Sequence, residues 1–331
     1  APDARGQRDA REAIARHLAS RGVAAPADSI ILTPGTSLAY LALFRLLGER
    51  RGELLVASPT YPLFDDIAAL AGCSTRSYHL LRDDARWRLD VEEVEHQLTP
   101  HTRAIVLVSP HNPTGHVASD DELHALAEVC RARSLPLIVD EVFAEFPVAL
   151  ERVPRAAEEP FGFPLVLTLD GFSKMLALPG HKTAWISVAG TEAERATRLL
   201  RALEHLMDTL LPVHEVAQAL VAPLLDAAGP VVEGFRAEYR ARHAVLREAL
   251  ASVPGVRALP VEGGVYQPIL LESPRARALT AEALLRDHGL LLHPGAWYGL
   301  AEPSLVATFV AGEETLRAGA ALLRQALGTE P

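Results

Sequence analysis

Five short apolar runs, at residues 54–57, 104–108, 135–139, 165–169 and 183–188, limit what this chain can fold into more than any other feature. None exceeds six residues, and each is apolar at nearly every position rather than at alternate ones. A strand of that kind has both faces buried. Helical patterns lie between the runs, as at 121–133, and short strands alternating with helices indicate a mostly parallel, doubly covered sheet. Ahead of them, 8–20 has helical spacing with Ala13, Ile14 and Leu18 on one face. A short strand over 29–33 then runs into Pro34-Gly35-Thr36-Ser37 and a helix from about 38 to 47.

After Gly190 the pattern changes. Residues 192–225 read as largely helical and 233–252 as a long helix with Arg and Glu alternating on its solvent side. Strands are expected within 256–271 around Gly263-Gly264, at 290–292 before Pro294-Gly295, and at 305–310; helices are expected at 280–288 and 313–327. A chain of 331 residues is too long for one simple core. The expected class is therefore α/β, with a large domain over 28–205 and a smaller α+β domain built from 1–27 and 206–331.

The formal net charge of -10 argues against nucleic acid or an anionic membrane as main partner. No run of about 18 apolar residues marks a membrane span, and no basic, apolar leader opens the sequence. Cys73 and Cys130 are far apart within apolar segments, as expected of buried thiols in a cytoplasmic protein. The 13 histidines show no metal-ligand spacing. His111 and His116 flank one turn without obvious partners. Neither Gly-x-Gly-x-x-Gly nor a Walker A loop occurs, so metal and dinucleotide chemistry are disfavoured.

Lysine is nearly absent. Lys and Arg total 32, yet the lysines are Lys174 and Lys182 alone. A general preference for arginine explains the scarcity but not where the amine was kept. Guanidinium stays protonated and cannot form a Schiff base, whereas an amine can. Lys174 sits just past an expected strand, in Gly171-Phe172-Ser173-Lys174. Three other segments also end expected strands, and ligands of open parallel sheets bind beyond those ends. Gly35-Thr36-Ser37 opens a helix, which suits a phosphate, though an ordinary N-cap reads the same. Ser109-Pro110-His111-Asn112-Pro113-Thr114-Gly115 is a rigid turn that can hold the Asn112 amide in place. Asp140-Glu141-Val142-Phe143 puts a carboxylate where it could cap a helix or pair with a protonated pyridine nitrogen. Lys182, behind Pro179-Gly180-His181, is a cation within reach of a phosphate.

In this order the elements resemble the aspartate-aminotransferase-like (class I/II aminotransferase) family, of fold type I among the pyridoxal-phosphate enzymes. The resemblance covers nearly the whole chain and implies a homodimer with active sites at the subunit interface. It also implies an N-terminal arm that would lie before Ala1. By position, Lys174 would hold pyridoxal 5′-phosphate as a Schiff base and then move a proton as general acid/base. Asp140 would pair with the pyridinium nitrogen and Asn112 would hydrogen-bond the 3-oxygen. Thr36 and Ser37, with the backbone after Gly35, would hold the phosphate, helped by Ser173 next to the lysine and by Lys182. Tyr61 would stack on the ring, with Phe64 as the other candidate.

Three departures stand out. Phe143 replaces the usual tyrosine, so a hydroxyl toward the 3-oxygen is lost. Lys182 replaces the usual arginine, a point charge for a fork. Val306 occupies the position of an arginine that clamps the substrate α-carboxylate in many relatives, and no arginine lies between Arg286 and Arg317. Either the substrate lacks that carboxylate or another group holds it; His181, His293, Trp297, Tyr266 and Tyr298 are the candidates. The expected activity is ping-pong transfer of an amino group between an amino acid or amine and a 2-oxo acid. A lyase or synthase on the same fold, and a sensor domain that binds the cofactor without turnover, are the competing readings.

Overall fold

A computed structural model describes residues 3–48, 51–210 and 213–328. Ala1, Pro2, residues 329–331 and residues 211–212, which fall within the expected small domain and its helical stretch, lie outside it. Eight strands form one sheet: β1 (Ile30–Thr33), β2 (Glu53–Ser58), β3 (Ser74–Arg82), β4 (Trp87–Leu89), β5 (Thr102–Val108), β6 (Leu137–Asp140), β7 (Val166–Gly171) and β8 (Ala184–Ala189). Their spatial order is β1-β8-β7-β6-β5-β2-β3-β4. The pairs from β7 across to β3 are parallel, while β1–β8, β8–β7 and β3–β4 are antiparallel.

Two-sided burial explains the apolar runs. Successive strand side chains leave on opposite faces. Leu54, Val56, Val106 and Ile138 therefore join one core, with Tyr40, Leu43 and Phe44 of helix Thr36–Leu47 and Leu203 of helix Ala193–Leu210. Leu55, Ala57, Leu107, Leu137 and Val139 join the other, with Leu123, Leu126 and Cys130 of helix Asp120–Arg133. That helix starts on a complete capping box, Ser119 with Glu122.

A second sheet, β11-β12-β10-β9, is wholly antiparallel: β9 (Val256–Ala258), β10 (Tyr266–Leu271), β11 (His293–Pro294) and β12 (Ser304–Thr308). Its core holds Ile269, Leu305, Ala307 and Phe309 under helices Val221–Ala251 and Glu313–Ala326.

Three features differ from the sequence reading. Strand β3 and the edge strand β4 were not expected. In β3 only Tyr78 and Leu80 are buried, so the strand lacks an apolar run. The strand expected at 290–292 makes no ladder; pairing begins at His293. Leu290 and Leu292 still pack on the small core, and Leu291 points outward. The long helix starts at Val221 rather than Glu233 and runs through Pro230. An internal proline costs about 3 kcal/mol. Val221, Ala228 and Val232 offset it by packing with Ala10, Ile14 and Leu18 of helix Arg8–Ala19.

Beneath the sheet's carboxyl ends lies a buried ion cluster. Arg155 meets Glu141 at 3.1 Å, Glu145 at 2.7 Å and Asp170 at 3.9 Å. Glu145 also receives Arg21 at 2.9 Å and Arg236 at 3.3 Å. Burial pushes the Glu141 and Asp170 carboxyls up, and Arg155 is the foremost opposing group for both. Arg155→Ala should cost about 3–5 kcal/mol, because it leaves buried carboxylates uncompensated. Urea unfolding checks this, and a loss below about 1 kcal/mol would contradict it.

Burial shifts three histidines. Burial, the largest cause in each case, pushes His17 and His243 down to about 4 and His111 to about 3. In the unfolded chain such a group takes up a proton near pH 6.5. Their stabilisation is therefore complete above that pH and drains away as pH falls toward 4 and then 3. The Tm should drop between about pH 7 and 5, and His17→Phe should make that slope shallower. A Tm unchanged over this range would contradict the account.

Candidate active site

β8 runs antiparallel to both β1 and β7, so β1 shares its direction with β5, β6 and β7. Their carboxyl ends consequently lie along one edge. The four segments picked out by sequence follow those ends, and Thr36, Ser37, Asn112, Asp140, Phe143 and Lys174 line one cleft.

Asp140 is the last residue of β6 and is buried. Its Oδ2 accepts from the Tyr40 hydroxyl at 2.8 Å and its Oδ1 from the Val142 N–H at 3.0 Å. Burial pushes the carboxyl up; the Val142 and Tyr40 hydrogen bonds and the Lys174 charge oppose it. A cation placed against Asp140 would hold it ionised. Burial, reinforced by Asp140, lifts Tyr40 well above an ordinary phenol, so its proton stays in place to be donated. Sequence reading missed Tyr40, although it lies one turn beyond Thr36 on the same helix face.

Asn112 is buried in the turn after β5, and its Oδ1 has no hydrogen-bond partner. The turn is closed by the His111 N–H donating to the His116 carbonyl and the Gly115 N–H to that of His111, both at 2.8 Å. Gly115 has φ +70°, and a Cβ there would meet Val261 at 2.5 Å, so the turn tolerates no side chain at that point.

Helix Thr36–Leu47 begins at Gly35, whose φ of +118° suits glycine. A Cβ built on Gly35 meets nothing within 4 Å, which leaves open room beside the first helical N–H groups. Thr36 and Ser37 line the cleft there. Lys174 lies on the single turn Phe172–Met175 with its side chain exposed. Its Nζ is 5.7 Å from the Phe143 ring centroid, and both residues line the cleft.

Tyr61 and Phe64 both line the cleft. Phe64 is fully buried edge-on to Tyr61 and Tyr40, and Tyr61 is the more exposed ring. Tyr266 joins them, edge-on to Phe143. Gly35, Ser173 and Lys182 are not among the lining residues. Lys182 is exposed, with φ 55°. Of the residues weighed for a substrate carboxylate, His181 bonds Thr183 at 2.9 Å and packs on Phe172, whereas His293 bonds Tyr298 at 2.8 Å. Trp297 is exposed and Val306 buried.

The donor set suits pyridoxal 5′-phosphate. It offers a buried carboxylate for a ring nitrogen, the Asn112 amide, whose N–H2 can donate to a ring oxygen, a helix start for a phosphate and an exposed amine for an aldehyde. Comparison with known proteins agrees. The family model "Aminotransferase class I and II" matches residues 1–321. An arginine–pyruvate transaminase of Pseudomonas aeruginosa is 33% identical over 323 residues, covering 95% of this chain and 79% of that protein. A glutamate–pyruvate aminotransferase of Escherichia coli is 28% identical, covering 80% of this chain and 65% of that protein. A single mutant of the Thermus thermophilus aspartate aminotransferase superposes with a TM-score of 0.87 at 25% identity, over 98% of this chain and 83% of that one. With the family matched over nearly its whole length, the chain belongs to the class I and II aminotransferases and is a pyridoxal-phosphate-dependent enzyme of that kind.

Proposed function

We propose that the chain moves an amino group between an amino acid or amine and a 2-oxo acid in two half-reactions, with Lys174 as the covalent anchor and acid/base. The observation that carries this is the convergence of Lys174, Asp140 and Asn112 on one cleft. When bound, the cofactor's pyridinium ring draws electrons from the substrate Cα. Asp140, fixed by Tyr40 and Val142, pairs with the ring nitrogen and keeps it protonated. Asn112 hydrogen-bonds the 3-oxygen. Thr36, Ser37 and the N–H groups after Gly35 would hold the phosphate, and Ser173 and Lys182 are assigned to help them. Tyr61 covers the ring face. With its amine free, Lys174 would serve as the acid/base that moves a proton between Cα and C4′.

Residues 28–205 make up the cofactor-binding unit in this reading, with 1–27 and 206–331 as the second unit. The working form is a homodimer; the exposed Lys174 on an open cleft supports a partner closing it. Free Cys73 and Cys130 support a reducing, cytoplasmic setting. Among the described residues no helix is long and apolar enough to cross a membrane.

Amino acids and matched amines, supplied without a 2-oxo acid, should convert the bound cofactor stoichiometrically to pyridoxamine 5′-phosphate. Lys174→Ala should abolish borohydride-fixed attachment and slow turnover by about 10²–10⁴-fold or more. Retained attachment in that variant would remove Lys174 from the role.

Phe143 leaves the 3-oxygen without a phenol partner on that side. Phe143→Tyr should therefore move the pH midpoint of the bound cofactor's absorbance change downward, by about one pH unit. An unmoved midpoint would show that position 143 does not reach the oxygen.

A further inference from the structure

An amino acid and a 2-oxo acid both carry a carboxylate, and among the described residues lining the cleft the one cation is Lys174. The aminotransferase reading already commits that amine. The register of the second sheet supplies another partner. His293 lies directly opposite Val306, Val306 opposite Pro268, and Thr308 opposite Tyr266. Residues directly opposite share a face, as do residues two apart on one strand. His293, Val306, Thr308 and Tyr266 therefore point the same way, while Leu305, Ala307 and Phe309 fill the core behind them. Tyr266 lines the cleft, so this face meets the cleft at its Tyr266 end, while His293, exposed further along it, is not itself a lining residue.

On that face His293 is held firmly. Its Nδ1 is 2.8 Å from the Tyr298 hydroxyl, the two rings stack at 6.1 Å, and Trp297 lies 5.6 Å away. Tyr298 is buried; burial first, then Tyr266 and Tyr61, push its phenol up to about 12. It keeps its proton and can donate to Nδ1. A phenol donating to Nδ1 leaves the ring hydrogen on Nε2, and His293 as a residue is exposed. Val306 beside it brings neither charge nor donor.

We propose that His293, oriented by Tyr298, binds the substrate carboxylate through its Nε2–H and so distinguishes amino acids and 2-oxo acids from amines and aldehydes that lack one. The proposal rests on the aminotransferase reading and adds its specificity residue.

The test uses the holoenzyme and two matched pairs, L-phenylalanine with 2-phenylethylamine and L-arginine with agmatine. KM and kcat of the half-reaction are read from pyridoxamine 5′-phosphate formed. Binding of 2-methylalanine, which has no α-hydrogen to lose, is read by calorimetry. His293→Ala should raise KM for the acids, and Kd for 2-methylalanine, about tenfold or more, the loss of a hydrogen bond to a charged group. The amines should shift by less than about twofold, a change too small for such a bond. His293→Gln, which keeps an N–H donor, and the double variant His293→Ala/Val306→Arg should recover most of the acid binding. Tyr298→Phe should weaken the acids alone, by less. An equal effect on acids and amines, or none on either, would overturn the proposal. If the unaltered enzyme forms no pyridoxamine 5′-phosphate from any of the four, the aminotransferase reading itself fails, so the two failures are distinct.

Discussion

Leu54 and Val56 leave β2 for one core and Leu55 and Ala57 for the other, and β5 and β6 divide their side chains in the same way. This two-sided burial is the constraint on which the rest of the structure depends. A strand sealed on both faces can offer a polar side chain to a ligand only where it ends. Asp140 stands at such an end, and Asn112, Lys174 and Thr36 follow three others. Helix Thr36–Leu47 shows how closely site and core are joined: its first residues line the cleft while Tyr40, Leu43 and Phe44 seal the sheet. A change that loosens the packing of this helix therefore also displaces the donor to Asp140.

Two consecutive carboxylates diverge where β6 ends. Asp140 turns to Tyr40 and the cleft, and Glu141 turns to Arg155. The first is left with room for an incoming cation, while the second already has one. Glu145, four residues further, gathers Arg155 from within and Arg21 and Arg236 from segments on either side of the large sheet's sequence. Buried ion pairs contribute little net stability, but they strongly penalise any arrangement that separates them. The cluster thus fixes how the cleft floor, the N-terminal segment and the long helix sit together.

Much of this was legible in sequence because the central strands are short and apolar at nearly every position, and because lysine is so rare that Lys174 draws notice. Asp140 and Asn112 were readable as polar residues at the ends of apolar runs. Legibility failed where burial is one-sided or set by distant contacts. β3 alternates among polar residues, so nothing in Ser74–Arg82 announces a strand. Pro230 argues locally against helix, and only packing against helix Arg8–Ala19 overrides it. Tyr40 drew no notice, since its hydroxyl's partner lies 100 residues away. The pairing of His293 with Tyr298 is local, but the face it shares with Tyr266 depends on the register of three strands.

Both lysine side chains are exposed, and they stand eight positions apart on the same stretch of chain. A reagent that acylates or alkylates amines thus has two side-chain targets within this chain, one lining the cleft and one eight positions further on. Ordinary surface labelling becomes a footprint of one region, and mass spectrometry of a single short stretch reports it. Occupancy of the Lys174 amine by a carbonyl compound would then register as protection at one residue, with Lys182 as the internal standard.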